Sequence, residues 1–179
     1  MSKLRERLAR RARSGSALLE FALLAPVFFL MLFAIMEVGI IFFAQSTLQT
    51  GAEDAARLVR TGQVQNGGLT ADQVRTRVCK DIAPLIPCDG NLYIDIESFS
   101  NFGGVNFSNP LGPDNKMKPM NNFSTGNACD VILVRVFYTW TVFTPILTPF
   151  LVNLADNKHL LYASSAFRNE PFSQGMSGC

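Results

Sequence analysis

Histidine and tryptophan are almost missing from this sequence, with His159 and Trp140 the single examples of each. Charge is scarce as well, at 17% of 179 residues. One imidazole cannot build a multi-histidine metal centre, and the chain holds no phosphate-binding Gly-rich loop, no G-x-S-x-G elbow and no H-E-x-x-H helix. Asp95 and Glu97 fall on one face of an expected strand, the pattern that solvated acids usually give. His159 reads as a surface residue near a strand start, with no matched partner. No catalytic constellation remains, so the reading is a protein that is not an enzyme and needs no cofactor or metal. The charges that are present are split. Lys3, Arg5, Arg7, Arg10, Arg11 and Arg13 stand against Glu6 in the first 15 residues, a net +5. The remainder carries ten basic and thirteen acidic residues, a net −3. This asymmetry argues against a freely soluble cytosolic enzyme and against a generally basic nucleic-acid binder.

Behind the basic leader, Ala17 to Ala44 is almost continuously apolar, interrupted by Glu20, Pro26 and Glu37. As a helix this run is about 42 Å long, against a hydrocarbon core of about 30 Å, so it spans a bilayer with length to spare. It is too long for the apolar stretch of a secretory signal, and no small-x-small cleavage site ends it. Six Lys/Arg precede it and only Arg57 and Arg60 follow closely, a bias that keeps the N-terminus in the cytoplasm and places residues beyond about 45 outside. Glu20 and Glu37, about 25 Å apart on a helix, would each lie near one edge of the bilayer. Pro26 leaves the carbonyl of Ala22 without its helical donor and so permits a kink.

Beyond the span, Leu48, Ala52, Ala55 and Val59 continue an apolar stripe, and Gly62 is a natural stop. A protruding half-helix with such a stripe needs a partner. Thr70 and Gln73 form a capping pattern for a second helix through Val74, Val78 and Ile82, which Pro84 discourages from continuing. Three segments read as strands: one in which Leu92, Ile94 and Ile96 alternate with Tyr93, Asp95 and Glu97, one carrying Ile132, Val134, Val136, Tyr138, Trp140 and Val142 on one face, and one over 159–168. Residues 100–128, with seven Asn, four Gly, three Pro and three Ser, suit a long exposed loop. Asn106 and Asn122 match the N-glycosylation pattern, but such matches come easily in an Asn-rich loop.

Cys79, Cys88, Cys129 and Cys179 all lie in the part expected outside, where disulfides persist; the spacing of 79 and 88 is not that of a metal knuckle. Three connectivities are open. Cys79 with Cys88 is preferred, because Pro84 and Pro87 between them favour a fold-back at a helix exit, which leaves Cys129 with Cys179.

The segment Arg10-Arg11-Ala12-Arg13-Ser14-Gly15-Ser16-Ala17-Leu18-Leu19-Glu20-Phe21 resembles a class III signal peptide. In type IV pilins and their relatives a membrane aspartic protease cuts after the glycine, on the cytoplasmic side, and a glutamate is fifth in the mature chain. The resemblance implies cleavage between Gly15 and Ser16, with Glu20 fifth. Glycine lets the backbone extend into a protease cleft, and the basic leader holds the bond in the cytoplasm. The amine exposed at Ser16 could then pair with the Glu20 carboxylate of a neighbouring subunit, rewarding lateral assembly. Further along, Ala34-Ile35-Met36-Glu37-Val38-Gly39-Ile40-Ile41-Phe42-Phe43, Ala55-Ala56-Arg57, Val134-Arg135-Val136-Phe137-Tyr138-Thr139-Trp140 and Arg168-Asn169-Glu170-Pro171-Phe172 together resemble the TadE-like minor pseudopilins of the Flp (Tad, type IVc) pilus machinery. TadF- and TadG-like relatives share the N-terminal layout.

The family implies a structural, peptidase-processed subunit of low abundance that helps initiate, prime or cap a pilus used in adhesion. It also implies partners: a prepilin peptidase, other minor pseudopilins, the major pilin, and an inner-membrane assembly platform met through the helix that bears Glu20, Phe21 and Pro26. The lipid bilayer is a further partner, and nucleic acid is not. The expected architecture is α+β and pilin-like: a cytoplasmic leader over 1–15, a long helix over 16–62 that spans the membrane to about 44, and a periplasmic domain over 63–179 with a short helix and a small antiparallel sheet. The competing reading is an unprocessed signal-anchored protein whose outer domain binds a partner at the envelope. Composition and charge fit both, and the state of the Gly15–Ser16 bond separates them.

Overall fold

A computed structural model describes residues 2–83, 86–88, 90–120, 122–172 and 179, with the backbone alone over 2–15. Pro84, between the two preferred cysteines, lies outside the described residues. The first helix, α1, runs without interruption over Ser2–Arg60. It begins well before Ala17, because the leader is built of Arg, Leu, Ala and Lys, all good helix formers. From Ser16 onward α1 is long and apolar enough to cross a membrane, compatible with a single-pass anchor. It ends where Gly62 turns the chain in the left-handed region, at φ 73°. A Cβ at Gly62 would run into the Phe172 ring, so both the conformation and the space require glycine.

A single short turn, α2 (Gln63–Gly67), leads to α3 (Ala71–Ile82). The expected capping box is present: the Gln73 N–H donates to Thr70 Oγ1 at 3.3 Å, and the Thr70 N–H donates to Gln73 Oε1 at 3.0 Å. Val74, Val78 and Ile82 are fully buried, and Gly51 lets α1 approach α3 so closely that a Cβ there would stand 2.8 Å from Ile82.

Three strands, β1 (Leu92–Phe99), β2 (Val131–Thr141) and β3 (Lys158–Arg168), form an antiparallel sheet in the order β1-β2-β3. The register pairs Ile96 with Val134 and Val136 with Ala163, which aligns the apolar members of all three strands on one face. That face packs on α1 and α3 through Leu48, Ala52, Ala55, Val59, Val74 and Val134. The fold is thus α+β, with a long helix laid against a short one and a small sheet.

The Asn-rich segment over 100–128 is outwardly exposed along most of 101–109, as its composition led us to expect, but it also covers the second face of the sheet. Phe123 pairs with Ile96 in a parallel bridge at the edge of β1, and Met120 and Ala128 are buried. Two disulfides close the domain, Cys79–Cys88 and Cys129–Cys179, with Cα separations of 5.7 and 5.4 Å.

The chain after β3 fastens the domain to the end of α1. The Glu170 N–H donates to the Arg60 carbonyl at 3.0 Å, and the side chains of Arg60 and Glu170 meet at 3.4 Å. Buried Asn169 donates from Nδ2 to the carbonyls of Thr125 and Asn127, both at 2.9 Å. The Arg-Asn-Glu-Pro-Phe segment therefore ties helix, loop and sheet together at the end away from Glu37.

Candidate functional site

Packing along α1 begins at one residue. From Glu37 the buried positions are Ile41, Ala44, Leu48, Gly51, Ala52, Ala55, Ala56 and Val59, a helical repeat facing the domain. Between Ser16 and Met36, α1 is bare: Phe21 is 66% exposed, and Leu18, Leu24, Phe28 and Met31 are similarly open.

Glu37, expected near a bilayer edge, is only 7% exposed and acts as a clamp. The Phe143 N–H donates to its Oε1 at 2.6 Å and the Thr144 N–H to its Oε2 at 2.7 Å. These two amides immediately precede the 3₁₀ turn Pro145–Leu147. The carboxylate thus holds the β2–β3 connection against the helix. Replacing Glu37 with alanine leaves two amides unpaired, at about 1–3 kcal/mol for each that stays buried. In hydrogen exchange of the detergent-solubilised protein, we expect the peptide over 142–152 to exchange faster in Glu37→Ala, with Glu37→Gln intermediate because one acceptor remains. Unchanged exchange in Glu37→Ala would remove the clamp from the account.

The positions expected to carry processing and assembly all lie on the bare half. The Gly15–Ser16 junction is inside α1, so a protease would have to open the helix there. Ser16 Oγ donates to Glu20 Oε1 at 3.1 Å, one turn along the same helix. Phe21 and Pro26 are exposed, and α1 stays helical through Pro26. Ser16, Glu20, Phe21 and Pro26 therefore lie on one unpacked apolar stretch of α1, away from the domain, and Gly15 precedes them on the same helix.

Of the two acids on β1, Asp95 is out of solvent and Glu97 keeps 26% of its side chain exposed. Asp95 is fully buried opposite Arg135, which is 2% exposed. Arg135 donates from Nε to Asp95 Oδ2 at 2.9 Å, from Nη2 to the same oxygen at 2.5 Å and to Glu97 Oε1 at 2.7 Å, and from Nη1 to the Ser108 carbonyl at 3.1 Å. The expectation failed because the loop bearing Ser108 shuts water from a face that alternation alone assigns to solvent. A signal was present: Val131, Leu133 and Phe137 make β2 apolar on its second face too, as a strand covered on both sides requires. His159 is half-buried near the start of β3, its Nδ1 against the Leu151 carbonyl. All four cysteines are disulfide-bonded, and among the described residues no cluster of three or more His, Cys, Asp or Glu is placed to hold a metal.

Residues 15–57 match the family model described as TadE-like protein. The matched stretch opens at the Gly15–Ser16 junction, includes Glu20, Pro26 and Glu37, and ends at Arg57, before the sheet. No curated protein and no solved structure matches the chain.

Proposed function

We propose that this chain is a minor pseudopilin of a Tad-type pilus, cut by a prepilin peptidase between Gly15 and Ser16 and acting as a structural subunit in initiating or capping the fibre. The TadE-like segment over 15–57 supports a pilus-associated, structural role in general. The observation that carries the finer reading is the division of α1 at Glu37: a bare apolar half bearing Glu20 five residues after Gly15, and a half packed into a domain. A bare half-helix of that kind is free for lipid before assembly and for neighbouring helices after it. Removal of the leader exposes an amine at Ser16, and Glu20 of an adjacent copy is the acid suited to meet it within apolar surroundings. The leader's basic charge then keeps the uncut junction in the cytoplasm, with the domain in the periplasm and α1 crossing the inner membrane.

Intact mass and N-terminal sequencing of the membrane-extracted protein, with and without the cell's prepilin peptidase, test this. We expect a peptidase-dependent start at Ser16. A retained leader under both conditions overturns the proposal in favour of a plain signal anchor.

A further inference from the structure

Among the described residues outside α1, the β2–β3 connection carries three exposed large hydrophobic side chains within eight positions. Its first eleven residues, Val142 to Val152, contain no charged side chain. Phe143 is 74% exposed, Ile146 48% and Phe150 81%. In water such a tip would expose two aromatic rings and an isoleucine together, which a soluble surface rarely does. It does not stand alone, because the Glu37 clamp fixes it beside α1 at the level where Phe33, Met36 and Ile40 are also exposed.

Depth follows from helix geometry. Glu37 is 17 residues beyond Glu20, about 25 Å along the axis, and the next polar side chain, Gln45, is about 12 Å further. With Glu20 at the inner edge of a hydrocarbon core of about 30 Å, Glu37 falls inside the outer leaflet. A carboxylate at that depth is costly unless it is satisfied, and Phe143 and Thr144 satisfy it. Direct hydrogen bonds oblige the tip to share that depth.

Part of the tip's polar backbone is satisfied within the protein. Pro145 and Pro149 have no N–H to satisfy. The Leu147 N–H donates to the Thr144 carbonyl at 3.0 Å and the Val152 N–H to the Thr148 carbonyl at 3.2 Å, the latter closing the short turn Thr148–Leu151. At the base, Asn157 Nδ2 donates to the Val142 carbonyl at 2.7 Å, and the His159 ring caps the Leu151 carbonyl. Each group satisfied in this way lowers the cost of bringing polar backbone toward hydrocarbon.

We propose that Val142–Val152 is a lipid-inserted tip: the β2–β3 connection enters the acyl chains of the outer leaflet beside α1, with Phe143, Ile146 and Phe150 facing lipid. The domain then has two membrane attachments, the helix and the tip, which fix its tilt and rotation on the bilayer before any assembly. The proposal rests on the reading of α1 as a membrane anchor.

The test uses the full chain in proteoliposomes of phosphatidylcholine brominated on its acyl chains, at low protein-to-lipid ratio. With Trp140→Phe as background, tryptophan is placed by Phe150→Trp or Ile146→Trp on the tip, by Phe28→Trp in the span, and by Phe102→Trp at the opposite end of the sheet. We expect the tip tryptophans to lose emission nearly as strongly as Phe28→Trp, while Phe102→Trp keeps its emission. Quenching of Phe28→Trp with tip tryptophans as bright as Phe102→Trp overturns the tip and leaves the anchor standing, so the tip would face water or a protein. An unquenched Phe28→Trp overturns the anchor, and the tip with it. A photoreactive benzoylphenylalanine at 150 in the otherwise native chain gives the same answer without altering Trp140: a phospholipid adduct supports insertion, and its absence beside an adduct at position 28 opposes it.

Discussion

Arg135→Ala is expected to destabilise the folded domain by about 3–5 kcal/mol, the usual result of stripping one partner from a buried ion pair. The size follows from what remains. Asp95 would keep a carboxylate at zero exposure, with Oδ2 stripped of both its hydrogen bonds and Oδ1 already without a hydrogen-bond partner among the described residues. Glu97 would lose the same guanidinium, and Ser108 would lose the donor that holds the loop to the sheet. Over 101–109 the loop buries little apolar surface, with Phe102 and Phe107 both exposed, so we expect it to loosen first and to become sensitive to protease. The double variant Asp95→Leu with Arg135→Met should recover most of the loss, because it removes the desolvated charges together instead of orphaning one. Urea unfolding of the detergent-solubilised protein, followed by Trp140 fluorescence, measures both. An Arg135→Ala midpoint close to the wild type would mean that water reaches Asp95 and that the loop is not the seal described.

Much of this architecture is written locally. The stripe Leu48, Ala52, Ala55 and Val59, the box at Thr70 and Gln73, and the alternation in β1 and β2 each depend on residues within a turn or a strand of one another, so periodicity exposes them. The disulfide pairing was legible because prolines imply a fold-back between Cys79 and Cys88. Glu37 was not legible. Its partners are backbone amides 106 and 107 residues away, and a main-chain N–H leaves no mark on the sequence. The burial of Asp95 was hidden for a related reason: its cover comes from an Asn- and Gly-rich loop that works by backbone contact and carries no hydrophobic pattern. The bare half of α1 was evident as an apolar run, yet only the structure places the limit of packing at Glu37. The exposed tip between β2 and β3 gave no periodic signal, since its apolar residues matter by shared depth with α1, which is a tertiary relation.

The two disulfides are expected to differ in worth, and the order is fixed by the chain they close. Cys129–Cys179 spans 50 residues and Cys79–Cys88 only 9. In the chain-entropy account these closures are worth about 4 and about 2.5 kcal/mol respectively. The structure adds to the longer bridge, because it attaches the last residue beside the start of β2 and encloses both β2 and β3. Cys129 also has φ 72°, a left-handed conformation that a non-glycine residue holds at a cost of about 1–3 kcal/mol when its surroundings impose it. Replacing Cys129 and Cys179 with serine should therefore lower the urea midpoint more than replacing Cys79 and Cys88. Changing position 129 to glycine instead of serine should return part of the loss, since glycine adopts that φ freely. Reductant acting on the native chain should approach the combined effect while leaving α1 itself intact, because no cysteine lies within α1. A larger loss from the Cys79–Cys88 pair would place the domain's stability in the α3 exit and not in the sheet closure.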